Sequence, residues 1–548
     1  MRRLHQFKGG VVLKEHKKDS TRMPTQPARL PPSLIVPLKQ HIGSAAEPVV
    51  AVGEKVLKGQ LIARAGDTIS VPLHAPSSGT VRAIADHPVP HPSGLPAPCI
   101  HIDTDGEERW RPRERNIFNF AELRPAELRE IIREAGIVGL GGAGFPAWVK
   151  LDPQGRAVDT LILNGAECEP YITCDEILLR ERALEVLAGL LMMRHAVQAK
   201  HCIIGIENNK PTAYRALVDE VRNTGADVEV VEVPTIYPTG SEKQLIQVLT
   251  GQEVPAGGLP IDIGIVCHNV GTAYAVYRAV ELDQPLISRT VTIAGSVAHA
   301  RNLEVLIGTP LAALIEECGG NRQALRRVIV GGPMMGIAVH SDAVPATKTT
   351  NCVLVESAMH DVPLPSRDVF SLPCIRCGHC AEACPINLLP QQLYWHARAQ
   401  NFDRVQDYHL FDCIECGCCD YVCPSQIPLV SYYRHAKSKI WEQEEEKRRA
   451  DRARQRHQFH ELRLQREKQE RAERHKKKRT AVAKGGDDKK AAIEAAMARV
   501  RAKKAAQDTA PKNTGNLTPE QQAKIDAVDA QRAKARQTAE TTPADDDA

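Results

Sequence analysis

The chain twice reads C-x2-C-x2-C-x3-C-P, first as Cys374-Ile-Arg-Cys377-Gly-His-Cys380-Ala-Glu-Ala-Cys384-Pro385 and then as Cys413-Ile-Glu-Cys416-Gly-Cys418-Cys419-Asp-Tyr-Val-Cys423-Pro424. In this spacing three thiolates hold one [4Fe–4S] cluster, and the fourth crosses over to the other cluster. The pattern therefore predicts two crossed ligand sets, which are Cys374, Cys377, Cys380 and Cys423 for cluster A, and Cys413, Cys416, Cys419 and Cys384 for cluster B. Cys418 falls outside the ligand spacing, and we expect it to be a bystander thiol.

Two other uses of these cysteines compete with the cluster interpretation. Zinc sites need only four ligands each and tolerate many spacings, but they give no reason for the trailing Cys-Pro to occur twice. A disulfide knot is the other alternative. The chain has 16 cysteines, and those outside the two runs are scattered, so we expect a reducing cytoplasm and no disulfide framework.

Length and composition describe an ordinary protein with several cores. At 548 residues, with a net charge of +4 and an apolar fraction of 43%, we expect three or four domains. The start of the chain is basic but has no apolar segment behind it, so no signal peptide is expected. The most apolar helical stretch, Leu184 to Met193, lies between Arg182 and Arg194 and is too short to span a bilayer. We therefore expect membrane contact only through partners.

The composition changes along the chain predict a multidomain α/β and α+β protein. Short apolar pairs between turn glycines predict a β-rich N-terminal block, strand and helix alternation predicts a mostly parallel sheet, and a later return to strands predicts a compact α+β fold. The predicted domains are an arm at 1–30, a barrel-sandwich hybrid at 31–112, a Rossmann-like domain at 113–285, a β-grasp domain at 286–345, a linker at 346–372, a two-cluster ferredoxin-like helical domain at 373–440 and a charged tail at 441–548.

The N-terminal block resembles lipoyl- and biotinyl-type barrels in the spacing of Gly53, Gly59, Ala75-Pro76 and Gly79. Those domains carry a modifiable lysine at a hairpin tip, but the corresponding interval from Ala65 to Ser70 contains none. A scaffold or docking role is therefore expected.

The tail beyond Trp441 has almost no large apolar residues, so it cannot bury a core. Its basic charge is diluted by Glu442 to Glu446 and by Asp545 to Asp547, and we expect no nucleic-acid binding.

A glycine run indicates a phosphate-binding loop. Gly139, Gly141, Gly142 and Gly144 stand between a helical segment and a helix-compatible stretch, and bare backbone N–H groups in such a loop can approach a phosphate closely. Lys150 can reach the same phosphate. Glu167 and Glu169 follow a strand, at the edge where open α/β sheets place ligands. The alternative is that the glycines serve turns and the glutamates cap helices.

Three motifs carry a family resemblance. Gly139-x-Gly141-Gly142-Ala143-Gly144-Phe145-Pro146, Asn164-Gly-Ala-Glu167-Cys-Glu169-Pro170 and Tyr237-Pro-Thr-Gly240-Ser-Glu242 resemble the FMN- and NADH-binding flavoprotein subunit of respiratory complex I. Together with the barrel and the twin cysteine runs, the chain resembles the C-subunit family of the Rnf/Rsx ion-translocating electron transport complex over residues 5–440.

The resemblance implies specific roles. Residues expected at the FMN site are Gly139, Gly141, Gly142, Gly144, Lys150, Asn164, Glu167, Tyr237, Gly240 and Asn269. Residues expected to face the nicotinamide dinucleotide are Phe145, Glu169 and Glu242. No catalytic side chain is assigned. The family implies a peripheral subunit at the cytoplasmic face of the bacterial inner membrane, with NADH or NAD as substrate. Its implied partners are the other subunits of a membrane-bound complex, among them a ferredoxin-type iron–sulfur subunit.

The implied chemistry joins a two-electron donor to one-electron carriers. NADH gives up a hydride, clusters accept single electrons, and FMN handles both. Two alternatives remain open. One is a non-catalytic iron–sulfur adaptor without flavin, and the other is the flavoprotein subunit of a soluble dehydrogenase.

Overall fold

The computed structural model describes residues 3–66, 69–116, 119–357, 371–483, 488–505 and 518–540. Asp67 and Thr68 of the barrel interval, residues 358–370 of the predicted linker and Asp545 to Asp547 of the tail lie outside these ranges. The chain forms two compact units, Met1–Gln443 and Glu444–Ala548. Everything that positions the candidate site belongs to the first unit.

The N-terminal block consists of short antiparallel strands that share one core. Its strands are β2 Ser33–Pro37, β3 Glu47–Pro48, β4 Lys55–Val56, β5 Leu61–Arg64, β6 Leu73–His74, β7 Gly79–Pro88 and β8 Pro96–Thr104. Strand β1 Gln26–Pro27 precedes this block and joins another sheet. Two sheets form, in the orders β2-β8-β7-β4 and β3-β5-β6. Val36, Ile62 and Ile100 contribute to the core between them, because β-branched side chains pack well on pleated surfaces.

The central block is a parallel sheet with helices. Its strands are β9 Thr160–Gly165, β10 His201–Glu207, β11 Glu229–Val233 and β12 Ile265–Asn269, in the order β11-β10-β9-β12. Its helices are α1 Pro125–Glu134, α2 Ala147–Lys150, α3 Cys174–Glu181, α4 Ala183–Val197, α5 Pro211–Thr224, α6 Glu242–Thr250 and α7 Val270–Glu281. The strand order reverses at β9 and β12, so a crevice opens beyond their carboxyl ends.

Two details of this block depend on backbone constraints. The apolar run of residues 261–266 predicts a strand, but the strand begins only at Ile265, because Pro260 starts a 3-10 turn and Gly264 ends it with a φ of 70°. Helix α4 is buried against α7 as the apolar sequence predicts. A Cβ on Gly189 would lie 1.9 Å from the carbonyl oxygen of Ala273, so only glycine allows this close approach.

The third block is a mixed sheet in the order β1-β14-β13-β17-β15-β16. It adds strands β13 Ser288–Gly295, β14 Arg301–Leu306, β15 Leu325–Val330, β16 Ile337–Val339 and β17 Cys352–Ser357, with helix α8 Leu311–Glu317. Strand β17 pairs with both β13 and β15 and is fully buried. The predicted linker at 346–372 therefore begins too early, since its residues 352–357 fill a central strand position. Similarly, residues 26–27 of the predicted arm form β1 at this sheet's edge.

The cysteine-rich block is helical. Its helices are α9 His379–Glu382, α10 Pro390–Arg398, α11 Phe402–Asp407, α12 Cys418–Tyr421 and the start of α13 Leu429–Ala483. Helices α10 and α11 lie between the two cysteine runs and bury Leu393 and Val405 in a common core with Tyr433. The second unit contains the rest of α13, α14 Asp488–Ala505 and α15 Pro519–Glu540. Among the helices that the structure describes, none combines the length and apolar character needed to cross a membrane.

Candidate functional site

A cavity of about 850 Å³ lies beyond the carboxyl ends of β9 and β12. Every residue predicted to bind flavin or nicotinamide lines it except Gly144. The structure thus brings together Gly139, Gly141, Gly142, Phe145, Lys150, Asn164, Glu167, Glu169, Tyr237, Gly240, Glu242 and Asn269. Their binding roles remain predictions, but their common location is a structural fact.

The glycine run is a closed loop at the wall of the cavity. Val138 and Pro146 pair across its base, and the Gly139 N–H donates to the Phe145 carbonyl oxygen at 2.7 Å. At Gly142 φ is 114°, and a Cβ there would meet open space. Bare backbone therefore faces the cavity at this point, as a loop that receives a phosphate requires.

Gly144 is not among the residues that line the cavity, and its FMN-binding role stays a prediction. Its φ is 65°, a Cβ would lie 2.6 Å from the Thr349 side chain, and its carbonyl oxygen accepts the Ile42 N–H at 3.1 Å. Glycine is needed here because of the close contact with Thr349, while the hydrogen bond from Ile42 joins the loop to the N-terminal barrel.

The two acidic residues of the loop after β9 make contacts to backbone amides. The Glu167 carboxylate accepts the Asp175 N–H at 2.7 Å and the Glu176 N–H at 3.3 Å, which caps α3. Burial raises the pKa of Glu167 to about 8, with the Asp175 carboxylate adding to the shift. Glu169 accepts the Met334 and Met335 amides at 3.1 and 2.7 Å. The helix-capping alternative thus describes the contacts of Glu167, although both side chains also line the cavity.

Polar side chains connect the strand ends around the cavity. Asn164 donates to the Gly240 carbonyl oxygen at 2.8 Å. Asn269 accepts the Gly271 N–H at 2.8 Å and donates to Asp175 at 2.6 Å. The Lys150 ammonium lies 2.6 Å from the Glu242 carboxylate and forms an ion pair with it.

The thiols predicted for cluster B surround a second, small cavity. Its lining includes Cys384, Cys413, Cys416 and Cys419, and Cys418 as well. For cluster A, burial raises the pKa of Cys380, and the neighbouring Cys377 and Cys423 sulfurs raise it further. Ser425 donates to the Pro373 carbonyl oxygen at 2.9 Å, which ties the start of the first run to the end of the second. These neighbours are those that the crossed arrangement requires.

The two cavities meet at the second cysteine run. Cys416 and Ile414 line the large cavity as well as the small one. The Tyr237 hydroxyl donates to the Cys416 carbonyl oxygen at 2.6 Å, and Cys418 is fully buried in an apolar cluster with Tyr237 and Met334. Sequence reasoning missed this junction.

Other residues of the large cavity's wall were not predicted from the sequence. The pair Gly331-Gly332 follows β15 and contributes to the cavity wall together with Met335. A glycine pair directly after a strand is a usable signal for such a loop. Cys168 lies in the wall too, and burial raises its pKa well above the ordinary thiol range, which disfavours the thiolate that a nucleophile needs.

The residues present fit the implied cofactors. The open backbone at Gly142 suits a phosphate, which needs bare N–H groups. The amide side chains of Asn164 and Asn269 suit the polar edge of a flavin ring. The cysteines of both runs are free thiols, and the cluster B set encloses one space. Four converging thiolates are the donor set that a [4Fe–4S] cluster uses.

Comparison with protein families agrees with this organisation. Residues 5–107 match the RnfC barrel sandwich hybrid domain, and residues 132–278 match the Nuo51 FMN-binding domain. Residues 290–338 match the SLBB domain, and residues 373–427 match a 4Fe-4S dicluster domain. The predicted barrel, FMN and two-cluster assignments are thereby confirmed.

Curated relatives extend over most of the chain. The C subunit of the ion-translocating oxidoreductase complex from Pseudomonas aeruginosa is 48% identical over 474 residues, which is 86% of this chain and 60% of that protein. Its counterpart from Serratia proteamaculans is 44% identical, covering 92% and 70%, and the one from Salmonella gallinarum is 43% identical, covering 99% and 79%. This chain spans only 60 to 65% of the length of the Pseudomonas and Vibrio cholerae relatives.

Among solved structures, an NAD+-reducing [NiFe]-hydrogenase in the H2-reduced state aligns with a TM-score of 0.41 and 20% identity, covering 58% of this chain and 62% of that one.

The family follows from the curated relatives and the domain models. The chain belongs to the C-subunit family of ion-translocating oxidoreductase complexes, and it has an FMN-binding domain and a 4Fe-4S dicluster domain.

Proposed function

We propose that this chain takes electrons from NADH at the large cavity and passes them through two clusters to the other subunits of a membrane-bound, ion-translocating complex. The observation that carries the proposal is the junction at Cys416. This predicted cluster ligand lines the same cavity as the glycine loop, and Tyr237 of the cavity wall donates to its carbonyl oxygen. Electrons therefore have a short exit from the cavity. The reverse direction, from ferredoxin to NAD, uses the same route.

The residues of the cavity have distinct tasks in this proposal. Gly139, Gly141 and Gly142 hold the phosphate of FMN together with Lys150, and the remainder is surrounded by Asn164, Glu167, Tyr237, Gly240 and Asn269. Phe145, Glu169 and Glu242 face the nicotinamide dinucleotide. When bound, FMN supplies the group that takes a hydride and releases single electrons. Ile172, Met335 and Ile414 make part of the wall apolar, which limits water around the reacting groups.

The two cluster sites are arranged in series. Cluster B is nearest the cavity, because Cys416 lies in the cavity wall. Cluster A is at the surface, where Cys377 is exposed and Leu372 and Ile375 are 63% and 67% exposed. We propose that a ferredoxin-type iron–sulfur subunit docks on this apolar rim and exchanges electrons with cluster A.

The finer structural labels also belong to the proposal. The parallel sheet in the order β11-β10-β9-β12 supports a Rossmann-like flavin domain, and the mixed sheet around α8 supports a β-grasp fold. The scattered free cysteines support a location at the cytoplasmic face of the inner membrane, with attachment through partner subunits.

The test is a flavin and iron assay on the purified full chain, followed by anaerobic titration with NADH. We expect flavin and two clusters per chain, and we expect NADH to bleach both flavin and cluster absorbance. Iron without flavin, and no bleaching by NADH, would establish the adaptor alternative. Full turnover with a soluble acceptor but no binding to membrane subunits would favour a soluble dehydrogenase.

A further inference from the structure

The N-terminal segment from Glu15 to Ser20 lies against the loop of residues 165–173, which carries Glu167 and Glu169. The Tyr171 N–H donates to the Glu15 carbonyl oxygen at 2.8 Å, and the His16 ring stacks on the Tyr171 ring at 4.6 Å. The hydroxyls of Ser20 and Thr173 are 2.9 Å apart. The segment therefore contacts the loop at several consecutive points.

Lys17 lies at the centre of this contact. Its ammonium donates to the carbonyl oxygens of Glu167 at 2.8 Å, of Glu169 at 2.9 Å and of Ile172 at 2.5 Å. The ammonium also lies 3.9 Å from the Glu167 carboxylate, and the Lys17 side chain is only 8% exposed. An ammonium has three N–H donors, so the three carbonyls use all of them.

The loop needs such an anchor. Glu167 and Tyr171 have φ values of 49° and 67°, which cost free energy for residues with a side chain. These conformations persist only when surrounding contacts determine them. The Lys210 ammonium holds the neighbouring carbonyl of Ala166 at 2.8 Å and pairs with Glu207 at 2.6 Å. Lys210 therefore fixes the start of the loop, whereas Lys17 fixes the part that carries both glutamates.

We propose that Lys17 is a positioning residue of the nucleotide cavity, which acts by fixing the loop of residues 165–173 so that Glu167 and Glu169 face bound nucleotide. This inference rests on the proposed NADH-oxidising function. Lys17 does not line the cavity, and it acts from a segment 150 residues earlier in the chain through the loop carbonyls.

The test compares Lys17→Met with Lys18→Met in the full chain with flavin and clusters loaded. Lys18 is the adjacent lysine and is exposed, so its variant controls for loss of one charge in this segment. Loss of the hydrogen bonds to a buried charged group predicts at least a tenfold rise in the KM for NADH in Lys17→Met, with a smaller change in kcat. Independently of turnover, amide hydrogen exchange of residues 165–173 rises at least about tenfold in Lys17→Met without NADH, while Lys18→Met matches the wild type.

The outcomes separate this inference from the proposed function. If the wild type itself is not reduced by NADH, the proposed function fails, and the exchange measurement still tests the anchor. If the wild type is active and Lys17→Met keeps its KM and its exchange rates, the inference is overturned. Should Lys17→Met not fold, Lys17→Gln replaces it, because an amide has two N–H donors and cannot bond all three carbonyl oxygens. An unchanged KM and unchanged loop exchange in that variant overturn the inference equally.

Discussion

The two cysteine runs have the same spacing, but they occupy different environments. In the first run Cys377 is exposed, and Leu372 and Ile375 beside it face solvent. In the second run Cys416 and Cys419 are buried, and Cys416 borders the large cavity. The same local motif thus supplies the ligands of both predicted clusters. The surroundings differ, because the second run borders the large cavity and the first run lies at the protein surface.

The equivalent residues Arg376 and Glu415 show how the surroundings act. Both precede the second cysteine of their run, and both adopt a left-handed backbone with φ of 61° and 57°. The Arg376 guanidinium lies 5.3 Å from the Trp395 ring. The Glu415 carboxylate instead bonds Arg434 and Lys437, each at 2.8 Å. The backbone is repeated, but the side-chain partners are not.

The largest expected effect comes from removing one ligand from each site. With Cys416→Ala, NADH should still reduce the flavin, but cluster A should stay oxidised because its only supply in this scheme runs through cluster B. With Cys377→Ala, cluster B should still be reduced. EPR of samples frozen after NADH addition measures the reduction of cluster A and of cluster B in each variant. Normal reduction of cluster A in Cys416→Ala would show that the two sites do not work in series.

The crossed ligands provide the second prediction. Cys423→Ala should remove the EPR signal of cluster A although Cys423 belongs to the second run, and Cys384→Ala should remove that of cluster B. The physical reason is that each fourth cysteine lies beside the other run's thiols. Loss of cluster B alone in Cys423→Ala would contradict the crossing.

A smaller effect is expected at the junction between the cavities. Tyr237→Phe removes the hydrogen bond to the Cys416 carbonyl oxygen and should slow cluster B reduction about tenfold, since one buried hydrogen bond is worth about 1 kcal/mol or more. Stopped-flow absorbance separates flavin reduction from cluster reduction. Tyr394→Phe is the control, because Tyr394 is buried, loses a hydrogen bond from Arg398 and lines neither cavity. Equal slowing in both variants would argue against a special role of Tyr237.

The smallest effect concerns acid stability of the second run. Burial alone would raise the pKa of Glu415, but Lys437 and Arg434 hold it below the ordinary value. A lowered folded-state pKa stabilises the fold above the unfolded value near 4.3, and this stabilisation is lost as the pH falls through the folded-state pKa. Glu415→Gln should therefore lose less stability than the wild type as the pH falls from 6 toward the folded-state pKa of Glu415. Thermal melts of the chain with flavin and clusters bound, recorded at a series of pH values, measure this loss of stability.

The control for acid stability is Glu382→Gln, because Glu382 is exposed near the first run. We expect its melting temperature to follow that of the wild type at every pH. If Glu415→Gln and Glu382→Gln respond alike, the pairs of Glu415 contribute nothing specific to the second run.

Much of the fold could be predicted, but particular elements could not. Strand and helix alternation predicts β9 to β11 closely, because local patterning decides them. The central strand β17 was not predicted from the sequence, because its burial depends on pairing with β13 and β15, which lie elsewhere in the sequence. The contact that requires glycine at position 144 was not predicted for a related reason, since it comes from Thr349, far away in the sequence.

The candidate site shows the same division. The glycine loop and the acidic loop are visible in the sequence, and the structure places them around one cavity. Lys17 carries no local signal, because its partners are loop carbonyls at a separation of 150 residues or more. The sequence also could not show that Glu167 caps α3, because that contact depends on how the loop turns back.

The cofactor classes follow from the amino-acid sequence alone, since the spacing of cysteines around a cluster and of glycines around a phosphate is a local property of the backbone. The folded chain was needed to show which cysteine run borders the cavity, which segment holds the acidic loop, and that Cys418 is buried beside Tyr237 and Met334. The physical reason is that these relations depend on packing between segments far apart in the chain, and no local pattern encodes which buried surfaces meet.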